Sequence, residues 1–166
     1  PIITSTGRHY DVALRYRPPR QGSRLEDSVA SAVRHALESD EGSVLAFLPG
    51  EGEIRRCLSA LERAPLPEDV RLLPLFGALG AREQDIAIAR TPDGLRKVVL
   101  ATSIAETSLT IDGVSIVVDG GFTRTKRFSP RSGLSRLDTV RVSRSPAHQR
   151  SGRPGRTATR RNGAGR

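Results

Sequence analysis

Near-continuous apolar runs, separated by stretches with helical spacing, constrain the fold of this 166-residue chain more than any other feature. They are SVLAFL (Ser43 to Leu48), KVVLA (Lys97 to Ala101) and the VSIVVD run that closes on Asp119. A strand that is apolar on both faces belongs inside a parallel sheet covered by helices. Between these runs the apolar residues recur at helical intervals. Leu25, Val29, Val33 and Leu37 stripe one helix, which Ser23 followed by Glu26 opens as a capping box. Ile54, Leu58 and Leu61 stripe a second helix, which follows the Pro49-Gly50 turn and fades at Pro65 and Pro67. Cys57 lies on that helix, and core packing is its expected role. Asp11 to Tyr16 and Val70 to Phe76 read as further strands, and Ala81 to Ala89 as a further helix. Strands alternating with helices predict an α/β domain with a mainly parallel sheet.

The pattern changes after Gly121. Phe122 to Phe128 and Ser135 to Val142 read as the two arms of a hairpin around Pro130 and Gly133. Ser145 then caps a short helix with Pro146 at its first position, where proline is tolerated. From Thr157 onward there is no apolar periodicity, so residues 158–166 are expected to form a disordered basic tail and residues 1–157 the domain.

Charge divides the chain in the same place. From Thr123 to Arg166 there are 13 basic residues and one acid, Asp138, a balance of +12. The preceding residues hold 14 basic and 17 acidic side chains, a balance of −3. One end is therefore suited to a polyanion, and the rest is an ordinary globular surface. Lys97 and Lys126 are the lysines; the other 25 basic residues are arginine. Arginine favours bidentate phosphate contacts, although a GC-rich genome would give the same bias. No apolar run approaches membrane-spanning length, none resembles a signal peptide, and a lone cysteine precludes an internal disulfide. A cytoplasmic protein is the expectation.

Several chemistries are excluded. His9, His35 and His148 accompany no cysteine cluster, so no metal site is expected. There is no G-x-S-x-G elbow, and neither lysine can complete a G-K-[ST] phosphate loop. Two stretches remain. In ATSIAETSLTIDG, which leaves the end of an apolar strand, Thr102, Ser103, Thr107, Ser108 and Thr110 crowd around Glu106 ahead of Asp112. Hydroxyls and free amides in such a loop suit a sugar–phosphate backbone, though singly each is an ordinary cap or turn residue. In QRSGRPGR, Gln149 to Arg156, arginines recur every third residue with glycines between them. That arrangement fits either a loose tail or a phosphate grip in which glycine lets the backbone come close.

In combination these stretches resemble motifs V and VI of superfamily 2 helicases. VLAFLPGEGEIRR (Val44 to Arg56) resembles motif IV, and LFGALGAREQDIAI (Leu75 to Ile88) the segment after it. The A-E-T-S-L-T-I-D-G wording is similar to the DEAH/RHA branch, and the opening residues to its bacterial HrpB-type helicases. The resemblance implies a RecA-like, three-layer fold, with helices on both faces of the sheet and a β-hairpin extension after motif V. It implies an ATP-dependent RNA helicase in which this is the second RecA-like domain, facing ATP and Mg2+ held mainly by a first. By resemblance, Arg153 and Arg156 are arginine fingers that reach the triphosphate and Gln149 contacts its terminal phosphate or the attacking water. Arg150 supports the motif. Ser108 senses the nucleotide state, and Thr110 and Asp112 lie at the ribose and phosphate side of ATP. Thr102, Ser103 and the backbone of Gly77 contact RNA, with DNA as the alternative strand. Arg124, Lys126 and Arg127 belong to the family's strand-separating hairpin; a solvated basic face is the competing reading.

The sequence departs from the branch in places. Ser103 stands for asparagine, Ile88 for an adenine-stacking aromatic, and Pro154 for alanine. No YRL-type strand follows motif VI, so the chain is expected to end within or just after the domain, and the isolated domain is expected to be inactive. The rival readings are a non-catalytic basic RNA-binding module and a translocase domain that does not unwind.

Overall fold

The computed structural model describes residues 21–103, 105, 111–129 and 134–142, with residues 126–129 and 134–137 given by their backbone alone. The strand expected at Asp11 to Tyr16 and the whole of QRSGRPGR lie outside these residues. The chain begins with helix α1 (Leu25–Ser39), strand β1 (Ser43–Phe47) and helix α2 (Glu51–Glu62). Strand β2 (Val70–Leu75), helix α3 (Ala81–Ile88), strand β3 (Arg96–Ala101) and strand β4 (Val114–Asp119) follow. Strands β1 to β4 form one parallel sheet in the order β2-β3-β1-β4. Strands β5 (Phe122–Ser129) and β6 (Leu134–Arg141) pair antiparallel as a separate sheet, with Phe122 opposite Arg141 and Ser129 opposite Leu134.

The sheet is covered on both faces, as the uninterrupted apolar runs require. Val44, Ala46 and Leu48 of the first run, with Val98 and Leu100 of β3, pack under α1 and α2. The intervening Leu45, Phe47, Val99 and Ala101 face the other way, against Ala87 of α3, Ala105 and Ile111. Period-two alternation thus assigns each run to two cores at once. Every residue of β1 is buried. That explains why an alternating polar pattern is missing from it.

Helix α1 does not start as the Ser23–Glu26 pairing predicts. Its N-cap is Arg24, and no side chain caps it. The carboxylate of Glu26 is instead taken by Arg56 of α2, whose Nε donates across 2.6 Å. Burial alone would raise the Glu26 carboxyl, but a backbone amide and Arg56 outweigh it and hold it below the ordinary value. A tertiary ion pair has displaced a local cap.

Two adjacent cations at the start of β3 finish the helices. Neither α1 nor α3 has a basic residue in its last turn, so their C-terminal carbonyls lack a favourable charge. Arg96 points to the α1 layer and donates to the carbonyls of Gly42, Leu37 and Asp40, at 2.8, 3.0 and 2.9 Å. Lys97, next along the strand, points to the other face. Its Nζ donates to the carbonyls of Ala87, Ile88 and Ala89 at 3.0, 3.3 and 2.6 Å.

Cys57 is fully buried in the core between α1 and α2, as its helical position suggests. Burial, reinforced by the nearby Glu26 and Asp27 carboxylates, pushes its thiol up to about 12. The expected outcome is a thiol inert to iodoacetamide at neutral pH until urea unfolds the chain; mass spectrometry across the unfolding transition checks this. The folded value is raised, so Cys57 favours folding fully below pH 9 and that contribution is lost as pH climbs toward 12.

Candidate nucleic-acid and nucleotide interface

In a parallel sheet every strand ends on the same edge, and ligands of open α/β sheets bind beyond that edge. Here the loops leaving it are tied to one another. Leu48 N donates to Ala101 O at 2.9 Å, Thr102 N to Leu75 O at 3.1 Å, and Gly120 N to Phe47 O at 3.1 Å. Gly120 cannot carry a side chain, because a Cβ there would lie 2.9 Å from the Phe47 carbonyl oxygen. Glycine is therefore the condition for this close crossing.

Gly77 and Ser103 are exposed along this edge and Thr102 is half-buried. The Thr102–Leu75 bond draws the loops after β2 and β3 together, so Gly77 and Thr102 sit on neighbouring segments. The Thr102 carbonyl accepts from Ala105 N at 3.2 Å, and Ala105 is fully buried. A buried alanine therefore pins a polar loop. On the loop after β2, the Arg55 guanidinium of α2 stands 5.7 Å over the ring of Phe76, the residue before Gly77, and also pairs with Glu51 at 2.8 Å. Sequence reasoning missed Arg55; an arginine one helical turn after an acid is the only local sign of it.

Asp112 lies elsewhere. It precedes β4 by two residues and is therefore at the opposite edge of the sheet, roughly 20 Å away for six-residue strands. Its amide donates to Ile88 O at 3.2 Å, the same carbonyl that Lys97 Nζ reaches. Burial pushes the Lys97 ammonium below its ordinary value, and the attraction of Asp112 opposes that shift. The ATSIAETSLTID segment thus runs from one edge of the sheet to the other. It carries Thr102 and Ser103 at one end and Asp112 at the other, with Ile111 buried just before the exit.

The sequence places Arg124 among the hairpin cations, and in the structure its guanidinium is engaged within the domain. Its NH2 group donates to both carboxylate oxygens of Glu53 at 3.1 Å. Lys126 and Arg127 lie on β5, described by backbone alone. Ser108, Thr110, Gln149, Arg153 and Arg156 lie outside the described residues. Among the described residues no cluster of His, Cys, Asp and Glu could hold a metal ion, and no helix is long and apolar enough to cross a membrane.

The four-stranded parallel sheet, its helices on both faces and the appended hairpin define a RecA-like α/β domain. The chain belongs to the helicase conserved C-terminal domain family, whose model matches residues 28–158. It is 49% identical to the ATP-dependent RNA helicase HrpB of Escherichia coli over 94% of this chain and 19% of that protein. It is 40% identical to the pre-mRNA-splicing factor ATP-dependent RNA helicase prp22 of Schizosaccharomyces pombe, over 95% of this chain and 14% of that one. A crystal structure of the E. coli DEAH/RHA helicase HrpB superposes with a TM-score of 0.85 and 50% identity, covering 90% of this chain and 19% of that chain. The chain therefore spans about a fifth or less of the length of these relatives.

Proposed function

We propose that this chain is the second RecA-like domain of an ATP-dependent RNA helicase acting in the cytoplasm. One observation carries the reading. The motif V segment spans the sheet, presenting hydroxyls beside Gly77 at one edge and an anchored aspartate at the other. Such a segment can feel RNA at one end and nucleotide at the other. Gly77, Thr102 and Ser103 grip the sugar–phosphate backbone, and Lys126 and Arg127 extend that surface. Asp112, with Ser108 and Thr110, faces ATP held with Mg2+ mainly by the first RecA-like domain of the full-length chain. An exposed carboxylate on a fixed backbone suits a ribose hydroxyl. Arg153, Arg156 and Gln149 complete the catalytic set at the triphosphate, where positioned positive charge stabilises the transferring phosphoryl group.

The test is RNA-stimulated ATP hydrolysis by the full-length protein, with binding measured alongside. Backbone-directed binding to single-stranded RNA is expected to be indifferent to sequence and to weaken roughly tenfold to a hundredfold between about 50 and 200 mM salt. Fluorescence-anisotropy titrations on two unrelated oligonucleotides check it. Affinity that ignores salt, or that differs strongly between the two sequences, contradicts a phosphate grip.

A further inference from the structure

We propose that the Glu53–Arg124 ion pair is a latch that fixes the direction in which the β5–β6 hairpin leaves the domain, so that the hairpin moves rigidly with it against duplex RNA. The proposal rests on the helicase reading above.

The hairpin needs such a joint. Among the described residues it is a two-stranded sheet paired with itself and not with the four-stranded sheet, and an isolated pair of strands is marginal in water. At its root Val142 N donates to Gly121 O at 2.9 Å, and Gly121 itself sits at a φ of +75°. Gly121 N also donates to Asp119 Oδ1 at 2.8 Å, which ties the root to the end of β4 but fixes only the first residue of the hairpin's approach. Three residues further along, Arg124 reaches back to the first turn of α2, where its guanidinium NH2 takes both Glu53 oxygens. The Glu53 side chain is 15% exposed and that of Arg124 37%, so the pair is sheltered on the carboxylate side and open to solvent on the other.

Glu53 is itself braced. It accepts from Arg56 NH2 at 3.0 Å, and Arg56 Nε holds the buried Glu26 of α1. A chain of alternating charges therefore links α1, α2 and β5. Gly50, the N-cap of α2, supplies the slot. Its φ of −166° is extended backbone open to any residue, so the chain conformation does not require glycine there. A Cβ at Gly50, however, would lie 2.6 to 2.9 Å from the Arg124 guanidinium atoms. The missing side chain makes room for the latch.

A phosphate contact and a latch give opposite expectations for Glu53. If Arg124 binds RNA, removing the competing carboxylate frees it and binding tightens. If Arg124 aims the hairpin, removing the carboxylate is as harmful as removing the arginine. The experiment uses the full-length protein with Glu53→Gln, Gly50→Ala, Arg124→Gln and the Glu53→Gln/Arg124→Gln double variant. The readouts are RNA-stimulated ATP turnover, strand separation of a tailed RNA duplex per ATP hydrolysed, RNA affinity, and hydrogen exchange of the β5 and β6 amides.

Glu53→Gln is expected to lower strand separation per ATP roughly tenfold, equal to a coupling of about 1.4 kcal/mol, with ATP turnover near parental. The hairpin amides should exchange faster, and the double variant should be no worse than Arg124→Gln alone. Gly50→Ala keeps every charge and displaces only the guanidinium, so it answers the same question if Glu53→Gln loses stability. Unchanged coupling and exchange in both variants, or tighter RNA binding in Glu53→Gln, overturns the latch. A full-length protein without RNA-stimulated ATPase overturns the helicase reading instead. Hairpin exchange then still decides whether the latch holds.

Discussion

Arg156→Ala in the full-length protein is expected to lower RNA-stimulated ATP turnover about a thousandfold, a barrier increase of roughly 4 kcal/mol, without destabilising the domain. The motif Q-R-S-G-R-P-G-R is built from a glutamine, arginines, glycines, a serine and a proline, so truncating one arginine removes little apolar surface from any core. Substitutions of that kind cost little stability. The effect on catalysis is large because an arginine at the transferring phosphate meets negative charge as it redistributes in the transition state. Arg153→Ala should behave alike. Arg160→Ala, in the stretch without periodicity, should change nothing. Steady-state ATPase rates with saturating RNA and thermal melts of the three variants make the comparison. Near-parental turnover in Arg156→Ala, or a melting point that falls with it, would give the arginine a structural role.

Lys97→Met is expected to cost about 1 to 2 kcal/mol of folding stability, for which the reason is local. Methionine roughly fills the volume of the lysine stem, so packing is largely preserved. It removes the donor that the Ala87, Ile88 and Ala89 carbonyls share, although Ile88 O keeps the Asp112 amide. Lys97 is 1% exposed and Ala87 is buried, whereas Ile88 is half-buried and Ala89 exposed, so the desolvation penalty falls mainly on the Ala87 carbonyl. For a domain of this size the loss corresponds to a fall in melting temperature of roughly 2 to 8 °C.

The pH dependence has a definite sign. Burial lowers the Lys97 value below its ordinary 10.5, with Asp112 pulling against it. Between the lowered value and 10.5 the folded chain binds fewer protons at this site than the unfolded chain does. The stability advantage of the parent over Lys97→Met should therefore grow as pH rises toward 10.5. Paired urea titrations of the two proteins across that window decide it, and a difference that shrinks with pH would mean the ammonium is not desolvated.

The layers of this domain were legible because Val44 to Phe47 of β1 and Val98 to Ala101 of β3 are apolar at every successive position, which suits a doubly covered sheet. The strand order was not, because β2-β3-β1-β4 is set by which helix covers which face, and periodicity says nothing about that. Ser23 and Glu26 misled for a related reason. Their spacing is right for a cap, but Arg56, thirty residues away, offers Glu26 a charged partner on α2 that the local pattern does not show. Arg124 shows the same limit at the candidate site. Its place in a basic stretch suggested phosphate, while the carboxylate that holds it is 71 residues earlier. By contrast, the hydroxyl-rich segment from Thr102 to Asp112 was recognisable because its residue types and order are local. That it reaches both edges of the sheet became visible only once the strands were in place.

The cation doublet at the head of β3 also settles a choice that hydrophobicity leaves open. A strand whose two faces are equally apolar has no built-in preference for its alignment with its neighbours, since sliding by one residue exchanges one greasy face for another. Arg96 and Lys97 remove that degeneracy. Displaced by one position, arginine would enter the layer fitted to a slim ammonium, lysine would face three carbonyls spread for a forked guanidinium, and both helices would lose their terminal donors. The doublet works as an index mark, like the notch on a key blank. The Val98-Val99-Leu100 stretch behind it should therefore accept many apolar combinations, whereas a single residue inserted between Lys97 and Val98 would throw every strand contact downstream out of step.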